Sequence, residues 1–261
     1  MATSFAVITG ASSGIGLELA ELFAKNKVNL VLVARSESKL KELAEKLQKQ
    51  YAVKVHLLAK DLSNYDTAKE VFDWCGSQGV TVDFLVNNAG FGDFGMFSES
   101  RWDKQLQMIN LNITTLTYLT HLFLPSMVNR KNGRVLNVAS TAAFQPGPLM
   151  AVYYATKAYV LHFSEAVANE LSGTGVTVTA LCPGATESGF QAAADMQESK
   201  LVKGKKLPTS KEVAEYGYRA MMQGKAVAIH GTVNYLMANS VRFTPRGLVT
   251  KIARMVQDKS N

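Results

Sequence analysis

Thr9-Gly10-Ala11-Ser12-Ser13-Gly14-Ile15-Gly16 is the stretch whose reading decides how this chain folds. The run before it, Phe5-Ala6-Val7-Ile8, is apolar throughout and reads as a buried strand. From Ile15 to Phe23 the apolar residues recur with helical period. Gly10, Gly14 and Gly16 therefore stand where a strand turns into a helix. Glycine permits that tight turn and lets a phosphate approach the backbone. The unpaired N–H groups and positive dipole end of the helix suit a pyrophosphate. A dinucleotide site is the expectation, with Ser12, Ser13 and Ile15 on the same turn.

Outward from this turn, residues 28–34 repeat the buried-strand pattern and end at Arg35-Ser36. An acid commonly follows such glycines by about twenty residues and holds a ribose 2′-hydroxyl. Arg35 stands here instead. A guanidinium can grip a 2′-phosphate bidentately, so NADP(H) is expected over NAD(H). The alternative is a surface arginine beside the next helix, with Glu37 close by.

Helical and strand patterns then alternate. Residues 36–50 form a charged amphipathic helix and 53–59 a strand leading to Asp61-Leu62. Ser63–Asp66 has the form of a capping box. A fourth strand, 82–86, ends in Asn87-Asn88-Ala89-Gly90. A long helical region, 102–124, contains Asn112 and is expected to end at Pro125. Strand 133–139 ends at Ser140, helix 152–171 carries Tyr153 and Lys157, strand 177–181 leads to Pro183-Gly184, and 226–230 is a last strand. The alternation predicts a parallel α/β sheet with helices on both faces and ligands beyond its C-terminal edge.

Bulk properties narrow the partners. At 261 residues, without repeat or linker, one domain is expected. The net charge of +7 comes without a Lys/Arg cluster or zinc spacing, so neither nucleic acid nor metal is expected. Two distant cysteines, Cys75 and Cys182, argue for a reducing, cytoplasmic setting. The first strand begins almost at once, so no leader peptide is expected. No run approaches a membrane span.

Tyr153 and Lys157 are four apart, on one helix face. With Ser140 thirteen residues earlier, the glycine turn, Asn87-Asn88-Ala89-Gly90, Asn112 and Pro183-Gly184 in order, the chain resembles the short-chain dehydrogenase/reductase family over nearly its whole length. The resemblance implies a single-domain, Rossmann-type doubly wound sheet of about seven strands and an Asn112-Ser140-Tyr153-Lys157 tetrad. A phenol is a weak acid at neutral pH. An ammonium beside it should lower its pKa and make Tyr153 a general acid in reduction and base in oxidation. Ser140, or Thr141 beside it, would hold the carbonyl oxygen. The resemblance gives Lys157 the nicotinamide ribose and Asn112 a proton-carrying water. It sets Asp61 and Leu62 at the adenine and Asn88, Ala89 and Gly90 along its ribose. Pro183, Gly184 and Ser188 then lie near the nicotinamide, with Thr186 competing for the place of Ser188. Relatives that prefer NADP(H) often carry a basic residue near Ser13; its absence leaves more to Arg35.

Residues 186–206 read as a substrate lid. With Phe91, Phe94, Phe144, Leu149 and Met150 they would form an apolar pocket for a ketone or aldehyde. Thr209–Glu212 is a second capping box. The apolar, basic tail, 231–261, is expected to cover the site or pair with another subunit rather than to contact lipid. Residues 102–129 and 152–171 would form the interface of a homodimer or tetramer. The function expected is an NADPH-dependent carbonyl reductase, reversible as an alcohol dehydrogenase. A membrane-surface lipid or steroid ketoreductase and a non-catalytic NADP(H)-binding regulator are the alternatives.

Overall fold

The computed structural model describes residues 4–194, 196, 199–200, 202, 204 and 206–258. Its strands are β1 (Phe5–Thr9), β2 (Asn29–Ala34), β3 (Val55–Ala59), β4 (Val82–Asn87), β5 (Gly133–Val138), β6 (Val176–Cys182) and β7 (Val227–Ile229). All pair in parallel, in the order β3-β2-β1-β4-β5-β6-β7. Alternation of side chains across the pleat feeds two cores. Ala6, Ile8, Leu30 and Leu32 face one layer; Phe5, Val7, Val31 and Val33 face the other.

The first layer is α1 (Gly14–Lys25), α2 (Glu37–Tyr51) and α8 (Ser210–Met222), which contribute Leu19, Phe23, Leu40, Leu47, Val213 and Met221. The second is α3 (Asp66–Ser77), α5 (Leu116–Asn129) and α6 (Ala151–Glu170), with Val71, Leu119, Phe123 and Met127 against the sheet. The order in which successive strands are added reverses between β1 and β4. That makes a crevice at the C-terminal ends of these central strands, the place where open α/β sheets bind ligands.

The expected helix over 102–124 is in fact three pieces. α4 (Trp102–Ile109) passes through a π-type turn, Asn110–Thr115, into α5. Pro125 lies inside α5 and does not end it; buried Phe123 and Met127 hold the helix to the sheet on either side of it, and α5 runs to Asn129. The capping box at Ser63–Asp66 is absent. Ser63 turns back, donating through its N–H and hydroxyl to Asp61 Oδ1, and Asn64 Oδ1 accepts the Asp66 N–H. The box at Thr209 and Glu212 forms as expected. In 186–206, the described residues include a short helix α7 (Phe190–Ala193). Positions 195, 197, 198, 201, 203 and 205 of that segment, and 259–261 of the tail, lie outside the described residues. The tail forms α9 (Thr232–Ser240) and α10 (Arg246–Gln257).

One buried hydroxyl ties the glycine turn to the end of β4. Thr9 Oγ1 accepts the N–H groups of Asn88 (2.9 Å) and Ala89 (3.0 Å) and donates to Val86 O. Thr9→Val keeps the shape and removes the acceptor. It should cost about 2 kcal/mol, read by chemical denaturation, because two N–H groups lose their partner.

Candidate active site

Above the switch point opens a cavity of about 510 Å³. Its floor is the glycine turn. Gly10 has φ +66°, and a Cβ there would lie 2.9 Å from Ala89 Cα, so a side chain would both strain the turn and collide with the chain just beyond β4. Gly16 lies beneath the cavity rather than on its wall; a Cβ on it would run into Gly10 O and Asn88 Nδ2. Asn88 keeps the turn closed from below by donating to Thr9 O and Gly10 O. Ser13, at the N-cap of α1, makes no side-chain cap, and Gly14 and Ile15 border the cavity. The first N–H groups of α1 are thus left for an anion, and the cradle fits a dinucleotide pyrophosphate.

Along the β2–β3 side the wall is Arg35, Ser36, Lys39, Lys60, Asp61 and Leu62. Arg35 and Lys39 are exposed, and the one acid in the first turn of α2, Glu37, pairs with Lys41. Nothing in the strand pattern singles out Lys39 or Lys60. Lys39 stands four residues after Arg35, in the first turn of α2, which is the signal that would have found it. Burial opposes ionisation of Asp61, but two hydrogen bonds from Ser63 and the nearby Arg35 guanidinium hold its pKa below the usual carboxylate range.

The other end gathers the expected tetrad. Ser140, just beyond β5, accepts the Ala142 N–H at 3.1 Å and donates weakly to Pro183 O at 3.4 Å. Tyr153 and Lys157 point from α6 into the same cavity, the Lys157 Nζ lying 5.8 Å from the Tyr153 ring centre. Lys157 is buried and its ammonium donates to Val138 O at 2.7 Å. Asn112 stands behind the wall, on the π-type turn. Its Oδ1 accepts the Phe91 N–H, and its Nδ2 donates to Phe91 O and Thr156 Oγ1. Such turns concentrate at functional positions. Here the extra residue swings Asn112 inward. A Cβ on Gly90 would lie 2.9 Å from Asn112 Oδ1 and 3.5 Å from Lys157 Nζ, so both groups close over the Gly90 backbone.

The electrostatics differ from the expectation. Burial pushes the Tyr153 phenol up to about 12, with the Ser140 side chain offsetting part of this. Burial pushes Lys157 down to about 8, and Cys182 nearby works weakly the other way. Desolvation penalises both charged forms, and without a ligand it outweighs the attraction between phenolate and ammonium.

Ser12, Ala89, Pro183, Gly184, Thr186 and Ser188 also line the cavity. Thr186 Oγ1 turns back to Gly184 O, whereas Ser188 Oγ accepts the Phe190 N–H. The apolar end is made by Phe91, Met150, Tyr154, Phe190, Met196 and Val202. Phe94 and Leu149 are not on its wall, and Phe144 packs against the β5–β6 layer with Leu161 and Cys182. Tyr154 is a wall residue too, and Gln257 from α10 donates to its hydroxyl at 2.6 Å.

This fold and site define an α/β oxidoreductase of the nicotinamide-binding kind, and comparison narrows the class. The model of the short chain dehydrogenase family matches residues 4–199, and the chain belongs to that family. It is 31% identical over 225 residues to an uncharacterized oxidoreductase of Staphylococcus saprophyticus, covering 86% of this chain and 94% of the relative. It is 33% identical to the very-long-chain 3-oxoacyl-CoA reductase of Rattus norvegicus over 69% of this chain, but spans only 58% of that relative's length. A short-chain dehydrogenase from Sphingobium yanoikuyae, solved in complex with NADPH, superposes with a TM-score of 0.81 at 30% identity, covering 94% of each chain.

The buried ammonium has a stability consequence. Since the folded pKa is depressed from 10.5 to about 8, the unfolded chain binds the additional proton between those pH values. The contribution of Lys157 to stability therefore rises with pH across that window and is unfavourable below it. Lys157→Met should stabilise the ligand-free chain at pH 7 by about 1–3 kcal/mol. It should also flatten the rise between pH 8 and 10.5, measured by denaturation at stepped pH.

Proposed function

We propose that the chain is an NADPH-dependent carbonyl reductase acting on an apolar or aromatic ketone or aldehyde, reversible as an alcohol dehydrogenase. The observation that carries this is the meeting of Ser140, Tyr153 and Lys157 at the end of β5, inside the cavity whose other end is the glycine turn. Membership of the family and the NADPH complex of the Sphingobium structure support the cofactor. Arg35, helped by Lys39, would bind the 2′-phosphate. The bound nicotinamide supplies the hydride.

The residues of the chain would do the rest. Ser140 Oγ holds the carbonyl oxygen and stabilises the charge developing there. Tyr153, whose high pKa keeps it protonated at neutral pH, donates its proton to that oxygen. Lys157 stabilises the phenolate left behind, and Asn112 fixes the backbone of Phe91 beside it. Reduction needs the phenol as it stands; oxidation first needs it ionised. Phe91, Met150, Phe190 and Met196 favour a substrate without charge near the carbonyl. The 3-oxoacyl substrate named for the rat relative is a ketone of this general kind. The free, buried cysteines agree with a reducing, cytoplasmic setting, and exposed Trp102, Leu106 and Tyr159 on α4 and α6 support pairing with a second copy.

Tyr153→Phe should leave NADPH binding intact and lower ketone turnover by at least about a thousandfold. Turnover near the parent level would remove Tyr153 from the reaction, and binding without turnover in the parent would leave a nucleotide sensor. Arg35→Asp should reverse the preference for NADPH over NADH, read as the ratio of the two dissociation constants. Alcohol oxidation should climb with pH above 8, toward the phenol's pKa, while reduction stays flat from pH 6 to 8. Both limbs are read as kcat against pH with saturating cofactor.

A further inference from the structure

The last two helices carry a surface that the reaction does not use. Val233, Tyr235, Leu236 and Met237 on α9, Phe243 after it, and Leu248, Ile252 and Met255 on α10 are exposed, Phe243 at 87%. Leu248, Ile252 and Met255 recur at i, i+4 and i+7 and form one stripe of α10. Val249 and Gln257 lie on its other side and are buried. Among these apolar residues stand Arg242, Arg246, Lys251 and Arg254, and residues 231–257 contain no Asp or Glu. The stripe continues past the tail. Arg254 Nη1 reaches Met96 Sδ at 3.7 Å, and Met96 and Phe97 are themselves exposed. Gln257, on the inner face of α10, bonds Tyr154 on the cavity wall. The surface therefore sits over the apolar end of the cavity.

So many large apolar side chains in one segment exceed the scattered exposure of a monomer surface, and the charge beside them selects what covers them. A two-fold contact with a second copy would set the same patch on both sides, with four cations facing four and no carboxylate in the segment to pair them. An anionic lipid surface offers apolar depth and negative headgroups together. A short helix with an apolar stripe bordered by Lys and Arg lies in such an interface without crossing it, and no described helix is long and apolar enough to cross. We infer that α9, α10 and the Met96–Phe97 loop form a docking surface for an anionic lipid bilayer. This holds whatever the reaction proves to be; if the chain is a carbonyl reductase, an apolar substrate would enter its cavity from the lipid side.

The test is co-sedimentation of the full chain with vesicles of phosphatidylcholine alone, and of phosphatidylcholine mixed in equal parts with phosphatidylglycerol. The chain should pellet with the mixed vesicles at low salt and lose this as salt rises. Arg242→Gln/Arg246→Gln/Lys251→Gln should weaken the partition by about a hundredfold, near fivefold for each charge. Leu248→Ser/Ile252→Ser/Met255→Ser should abolish it. No pelleting, or equal pelleting with both vesicles, overturns the proposal on the unaltered chain alone. A concentration-dependent dimer lost in the serine variant, without vesicle binding, overturns it in favour of a second copy.

Discussion

The hydrogen bond from Lys157 Nζ to Val138 O, 2.7 Å long, holds a buried cation against the last residue of β5. An ammonium taken from water is costly unless its N–H groups are met, and here a strand-end carbonyl meets one of them. That contact sets the rotation of α6. One turn earlier on the same face stands Tyr153, brought to the end of β5 where Ser140 begins the following loop. Farther along that face Ser164 donates to Val160 O and accepts from Asn137 Nδ2, while Asn87 Nδ2 donates to Asn137 Oδ1 and Thr120 Oγ1. Asn87 and Asn137 are register partners on β4 and β5. A line of side-chain hydrogen bonds thus crosses the middle of a largely apolar sheet and fixes α5 and α6 in angle. An aliphatic core would hold these helices as firmly but with less definition of their rotation, because apolar contacts have no direction.

Much of this is legible in the sequence because its causes are local. A strand-to-helix turn with glycines at 10, 14 and 16 announces itself, since the positive φ of Gly10 and Gly14 and the close approach at Gly16 admit little else. Arg35 is legible because a strand end is easy to find and the charge on it is unambiguous. The parallel pairing of the strands follows from their alternation with helices. What escapes has non-local causes. The π-type turn at Asn110–Thr115 has no signature of its own; it is stabilised by Asn112 bonding Phe91 and Thr156, residues 21 and 44 positions away. Pro125 looks like a helix end because propensity says so, and tertiary packing overrules it. Ser63 offers its hydroxyl to Asp61 rather than to the helix behind it, a competition between two nearby partners that spacing cannot decide. The rise in the Tyr153 pKa escapes for the same reason: a four-residue spacing shows that phenol and ammonium are neighbours but not how little water surrounds them.

The two ends of the cavity are built differently, and this bears on how the protein can change. The nucleotide end is backbone, glycine and buried hydrogen bonds: Thr9 to Asn88 and Ala89, and Asn88 to Gly10. Almost any side-chain change there meets a main-chain atom. The other end is a small apolar cluster in which Met108, Met150, Tyr153, Tyr154 and Met196 pack with Phe91, Phe94, Phe190 and Val202. Methionine and aromatic side chains adapt their packing at modest cost. A polar contact anchors the tail on that wall: Gln257 donates to Tyr154, and Ser199 Oγ donates to Gln257 O. Gln257 Oε1 is left buried without a partner. An amide held on one side only is a weak clamp, since an unmet buried acceptor offsets part of what its N–H gains. The chemistry is therefore locked into the sheet, whereas the choice of substrate is left to a wall that can be repacked without disturbing Lys157.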